Sequence, residues 1–168
     1  MNFLAFAAAL FPVMLVVVFT SPQPPPPDPA AVQEELQTIA EFSSAAHKQG
    51  GEVLFISERQ LLTFGYVKDV PLVPEYERMF LMEAAMAGDP VYLGKLNADL
   101  KNHRFALIVS EPLSRQQKGA SEVFGAENDV WVRRVAAPIL CYYMPIKTLR
   151  TVRIQLLAPR PEKLNDCP

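Results

Sequence analysis

Residues 104–111 read Arg-Phe-Ala-Leu-Ile-Val-Ser-Glu, and residues 53–58 read Val-Leu-Phe-Ile-Ser-Glu. Both are short apolar runs without polar alternation, the pattern of a strand covered on its two faces. Helical patterns fill the chain between them, so the two strands are expected to run parallel through a right-handed crossover. This pair decides the fold class. The expectation is an α/β domain: a small, mostly parallel sheet with helices on both faces and an antiparallel C-terminal hairpin, preceded by one transmembrane helix.

Working outward, the helices carry start and stop signals. Asp28-Pro29 reads as an N-cap followed by proline at the first helical position. Val32, Leu36, Ile39, Ala40 and Ala46 follow at helical spacing, Glu34 and Glu35 are assigned to the first turn, and Gly50-Gly51 ends the helix after His47-Lys48. Ser57 and Gln60 match a capping box for a short helix through Leu61, Leu62 and Phe64 to Gly65. After an irregular stretch at 65–74, Pro74 opens a helix with Tyr76, Met79, Phe80, Met82 and Met86 on a broad apolar face, closed by Gly88. Asp89-Pro90 repeats the cap and starts a helix with Leu93, Leu96 and Leu100 inward and Lys101 and His103 at its end. Residues 112–126 form a polar loop, long for a compact domain and a candidate lid. Asn128 or Asp129 caps the next helix, which Pro138 stops. Strands are expected at Leu140–Met144 and Thr151–Leu157, the second with one wet face at a sheet edge.

Ahead of all this, residues 3–19 (FLAFAAALFPVMLVVVF) are uninterrupted apolar sequence, and no charged side chain appears before Asp28. A helix of that length covers roughly 25 Å, close to the hydrocarbon thickness of a bilayer. A secretory signal peptide fits less well, because a basic n-region is missing and proline follows at Pro22. The organisation expected is a transmembrane helix at 1–20, a proline-rich spacer at 21–29, an α/β domain at 30–160 and a disordered tail at 161–168. With no lysine or arginine before Lys48, nothing pulls the flank toward the cytoplasm, and the soluble part is expected outside it. A lone span without orienting charges is explained if it is the last span of a polytopic protein.

Other classes are excluded by composition. Sixteen basic and 18 acidic residues give a net charge of −2, without the footprint that nucleic acid requires. Two cysteines, Cys141 and Cys167, and two histidines, His47 and His103, are too scattered for a zinc site. Cys141 lies in an apolar run and reads as a small hydrophobe, Cys167 as part of the tail, so the two are expected to stay unpaired. Dinucleotide, Walker-type and Gly-x-Ser-x-Gly patterns are missing, and no cofactor or metal is expected.

Glu58 and Glu111 are the weak catalytic candidates. Each follows a buried strand and a serine, which puts both at the carboxyl edge of the sheet, where open α/β folds bind ligands. Two carboxylates there could share acid and base roles if burial separated their pKa values. The plainer alternative has them satisfying helix N-termini or pairing with Arg59 and Arg115. Trp131, Tyr142 and Tyr143 read as core rather than a sugar platform, and Met79, Met82 and Met86 as core packing unless a partner helix uses them.

Gly51–Gly65 (GEVLFISERQLLTFG), Pro71–Asp89 (PLVPEYERMFLMEAAMAGD), His103–Leu113 (HRFALIVSEPL) and the terminal Ala158-Pro159-Arg160 together resemble the C-terminal soluble region of bacterial polytopic glycosyltransferases of the GT-C type, which use lipid-linked sugars. The likeness lies in the texture of residues 1–160. It implies a polyprenyl-phosphate sugar donor and acidic catalytic residues in an early loop between the first spans, a region this chain does not match. No family catalytic residue therefore falls on any position here. What the resemblance implies is a non-catalytic, extracytoplasmic accessory domain. It would meet the lipid bilayer through residues 3–19, and a membrane-protein partner or a lipid-linked glycan through its soluble part. The alternatives are a single-pass anchored protein-interaction module and a small tethered hydrolase using Glu58 and Glu111.

Overall fold

The computed structural model describes residues 25–162 together with 164 and 167. The stretch expected to span the membrane, 3–19, lies outside the described residues, among which no helix is long and apolar enough to cross a membrane. In chain order the elements are α1 (Pro29–Lys48), β1 (Glu52–Phe55), α2 (Arg59–Thr63), a 3-10 turn (Pro74–Tyr76), α3 (Arg78–Ala87), α4 (Pro90–Lys101), β2 (Phe105–Ser110), α5 (Gly125–Trp131), a π turn (Val132–Ala136), α6 (Ala137–Tyr142), β3 (Tyr143–Leu149) and β4 (Ile154–Pro159).

The cap signals act as expected. Asp28 accepts a hydrogen bond from the Ala30 amide at 3.1 Å, and Asp89 accepts from Val91 and Tyr92 at 2.9 and 3.1 Å. Gly88 ends α3 at φ +70, a left-handed conformation that costs glycine little. Gly51 is needed for another reason: a Cβ there would fall onto Ala106 of the neighbouring strand.

The sheet order is β1-β2-β4-β3, with β1 and β2 parallel and the other two pairs antiparallel. The expectation of a mostly parallel sheet is thus corrected to a mixed one. Three strands point the same way, but β4 folds back between β2 and β3 and replaces a second parallel pair with two antiparallel ones. The edge is β3 rather than the final strand, because alternation along a sequence reports which face is wet, not which strand is outermost. Pro145 and a register shift between Pro145 and Lys147 interrupt that edge, which discourages another strand from pairing with it.

Helices cover both faces. On one, Leu54, Ile56, Phe105 and Ile108 meet Leu81, Leu96, Leu100, Val135 and Ile139. On the other, Val53, Phe55, Leu107 and Val109 meet Ile39, Leu61, Val67 and Val70. A register shift between Glu52 and Val53 makes Ala106 an extra residue in β2, so Phe105 and Leu107 bury on opposite faces.

Several local expectations differ. The helix-stopping role given to Pro138 is replaced by continuation: α5, the π turn and α6 form one rod. Proline removes an amide and crowds the carbonyl four residues back, and the widened turn directly before it relieves both. The strand expected from Leu140 begins instead at Tyr143, and α5 starts at Gly125, ahead of Asn128 and Asp129. Glu34 and Glu35 lie beyond the first turn of α1, and Glu35 accepts a hydrogen bond from the Val152 amide at 2.8 Å, tying α1 to the β3–β4 turn. Cys141 and Cys167 are joined by a disulfide rather than unpaired. Leu164 donates its amide to the Cys141 carbonyl, and Arg160 Nε reaches the Leu140 and Tyr143 carbonyls at 3.1 and 3.2 Å. The described part of the tail therefore straps the buried end of α6.

One side chain binds three other segments at the amino edge of the sheet. Arg104, 27% exposed, pairs with Glu52 of β1 at 2.9 Å, Glu75 of the 3-10 turn at 3.0 Å and Asp99 of α4 at 2.9 Å. Tyr76 donates its hydroxyl to the same Asp99 at 2.7 Å while its ring meets Phe105 edge-on. Burial opposes ionisation of Asp99, but the bonds from Tyr76 and Arg104 outweigh it and hold the carboxyl below its usual range. A carboxyl with a lowered native pKa stabilises the fold above its unfolded value, near 4, and loses that contribution as pH falls through the native one. Arg104→Gln should therefore cost about 2 kcal/mol at pH 7, less than a fully buried pair because the cluster is partly wet. The difference from wild type should shrink at pH 3, and thermal melts at the two pH values read both effects.

Candidate functional site

The carboxyl ends of β1 and β2 bring the two candidate glutamates to one edge. The extra residue in β2 sets Phe55 opposite Val109, so the two Ser-Glu endings are staggered by one position. Arg78, the first residue of α3, donates its amide to the Ile56 carbonyl at 2.8 Å, which fixes the start of α3 against the same edge. Its guanidinium pairs with the Glu111 carboxylate and lies over the Trp131 ring, 5.5 Å from the centroid.

Glu58 has different company. Gln60 donates to its carboxylate at 2.8 Å, and Arg59 pairs with Glu77 at 3.1 Å instead of with either candidate. Burial first, and the charge of Glu111 second, push the Glu58 carboxyl above its ordinary value, against the Gln60 bond and the Arg78 charge. The serines do not cap as expected. Ser110 turns its hydroxyl to the Glu111 carbonyl at 2.8 Å, and Ser57 Oγ is buried without a hydrogen-bond partner among the described residues.

Between α3, α5 and the 112–124 loop lies a cleft of about 290 Å³, lined by Arg78, Met82, Glu111, Phe124 and Trp131 among others. Its lining includes Glu111 and not Glu58. The expected lid loop is held at both ends: the Leu113 amide donates to Gln155 at 3.1 Å, and the Lys118 and Gly119 amides donate to the Asp129 carboxylate at 2.8 and 3.2 Å. Asp129 thus braces the loop rather than capping the helix. Phe124 leaves the loop at φ +56, with its ring 75% exposed at the rim of the cleft.

The remaining candidates lie elsewhere. His103 follows α4 at φ +51 with its ring edge-on to Tyr143, on the amino side, and His47 lines a second cavity of about 270 Å³ beside Glu52 and Arg104. Trp131, Tyr142 and Tyr143 are core, as expected, and Tyr143 accepts the Phe105 amide at 3.2 Å; burial raises its phenol to about 12. Met79 and Met86 are exposed, which corrects their reading as core. The Arg104 cluster escaped the sequence reading, although matching the two Ser-Glu endings already sets Glu52 level with Phe105, one residue from Arg104.

No family model, curated protein or solved structure matches this chain.

Chemically, the edge offers one carboxylate neutralised by arginine, one with weakened acidity outside the cleft lining, and an aromatic ring under a cation. A paired carboxylate and an aromatic ring lining one cleft can hold a polar ligand, and Glu111 lines that cleft without Glu58. Glu58 should titrate above an ordinary glutamate in carboxyl-carbon NMR, and Glu111→Gln should bring it back down by removing the neighbouring charge. An unmoved Glu58 in that variant would show that the two carboxylates do not sense each other.

Proposed function

We propose that this chain is a membrane-tethered binding domain lying outside the cytoplasm, without chemistry of its own. The observation that carries the reading is the Arg78–Glu111 pair with Arg78 over the Trp131 ring, which gives the cleft a charged and aromatic recognition surface and engages one of the two carboxylates of the hydrolase reading. The tether is the apolar stretch 3–19 with the prolines that follow it. The Cys141–Cys167 disulfide favours an oxidising compartment, where such bonds persist.

The more specific form of the proposal rests on the sequence likeness alone. The domain would then be the accessory region of a GT-C-type glycosyltransferase-like membrane protein, positioning a lipid-linked glycan or a membrane-protein partner. A tethered hydrolase is the competing reading, and the raised Glu58 carboxyl is what favours it. Turnover abolished by Glu58→Gln or Glu111→Gln at an unchanged melting temperature would establish it.

The compartment can be tested in cells carrying the full chain with a C-terminal tag. External protease should remove the tag from intact cells, and maleimide should label Cys141 and Cys167 only after reduction and unfolding. A tag protected until lysis, with thiols that are never oxidised, would place the domain in the cytoplasm and overturn the proposal.

A further inference from the structure

The methionine face of α3 joins the core only through Met82 among its three methionines. Met79 is 62% and Met86 49% exposed, while Met82 between them is partly buried and lines the cleft together with Phe124. Spacings of three and four residues put the three methionines on one stripe of the helix. Across the cleft, Val123 and Phe124 project from the loop as consecutive exposed apolar side chains. Lys118 lines the same cleft beside this apolar rim, together with Glu127 and the paired Arg78 and Glu111.

We infer that this rim, formed by Met79, Met82, Met86, Val123 and Phe124, rests on the surface of the lipid bilayer. The inference depends on the tether proposed above, and the tether is what selects lipid as the occupant. At about 3 Å per residue, the proline-rich stretch 20–27 reaches roughly 25 Å. A domain of this size has a radius of gyration of about 14 Å, so its width exceeds the length of the tether. Only faces near the tether's end at Asp28 therefore reach the membrane. Glu35, two turns on, bonds the Val152 amide of the turn beyond Gln155, which pairs with Ser110 at the carboxyl end of β2. The tether thus meets the domain at the same edge as the cleft, where the effective concentration of lipid is high enough for weak insertion to suffice. Flexible methionines and a loop-tip phenylalanine suit a disordered acyl boundary, and Lys118 beside them suits the phosphates above it. Docked this way, the cleft would open at the headgroup level, where an amphiphilic ligand would meet Arg78 and Trp131.

The test uses the full chain reconstituted in vesicles of zwitterionic lipid with a minor anionic fraction. Nitroxide labels are attached at Met79→Cys, Met86→Cys and Phe124→Cys, and at Gln33→Cys on the exposed side of α1 as reference, each with the native disulfide intact and an unchanged melting temperature. Expected is an oxygen-to-nickel accessibility ratio several-fold higher at 79, 86 and 124 than at 33. Ratios at all four positions matching water, in a chain that still floats with the vesicles, would overturn the docking and leave the tether standing. A chain that fails to float would overturn both. Labels buried only in native membranes and wet in pure lipid would assign the rim to a protein partner and overturn the lipid assignment.

Discussion

One guanidinium joins the two parallel strands to the crossover between them. Arg104 stands at the start of the second strand and reaches the first strand, the 3-10 turn and the helix before it through Glu52, Glu75 and Asp99. A parallel pair needs a long crossover, whose closure costs entropy before any contact repays it. Here the crossover is pinned where it turns back toward the sheet, and Tyr76, wholly buried against Phe105, closes the apolar side of the same joint. Arginine suits the place because its planar fork engages several carboxylates at once while staying charged.

That constraint divides the molecule. The amino edge gathers three carboxylates and a tyrosine about one arginine, with Lys95 over the Tyr76 ring. At the carboxyl edge Arg78 meets the Glu111 carboxylate and an aromatic ring, and the loop above it is braced through Gln155 and Asp129. Arg78 is as short a step from the sheet as Arg104, but the chain supplies it with fewer partners. The cleft, the exposed Phe124 and the methionine stripe of α3 adjoin this less committed edge. The C-terminal strap stabilises a third place, the end of the long α5–α6 rod, by a covalent bond and by Arg160.

Much of the local structure was legible in the sequence. Both Asp-Pro caps, the Gly50 and Gly88 stops and the two apolar strands follow from short-range rules, and the structure has each of them. The failures share a cause: they concern contacts between distant residues. Strand order depends on where the β3–β4 hairpin lands, which alternation in 151–157 does not encode. Pro138 reads as a stop because local chemistry forbids an ordinary turn there, and only packing of Val135 and Ile139 in one core keeps the rod continuous. The Cys141–Cys167 bond depends on the tail returning to α6, and tail composition suggested otherwise. Glu58 and Glu111 were rightly sent to one edge, but the extra residue at Ala106 staggers them. Met82 packs on the core as its stripe suggests, while Met79 and Met86 stay exposed, because an apolar stripe announces burial without naming what buries it.

Native-state hydrogen exchange of the full chain tests most directly whether Arg104 unites the domain. Amides of 53–55, 96–101 and 105–109 should exchange with a single opening free energy equal to that of global unfolding, while 114–122 opens at far lower cost. Exchange of the first strand through a local opening that leaves α4 and β2 protected would contradict it, and would make the Arg104 cluster a surface decoration on a sheet held by its apolar faces alone.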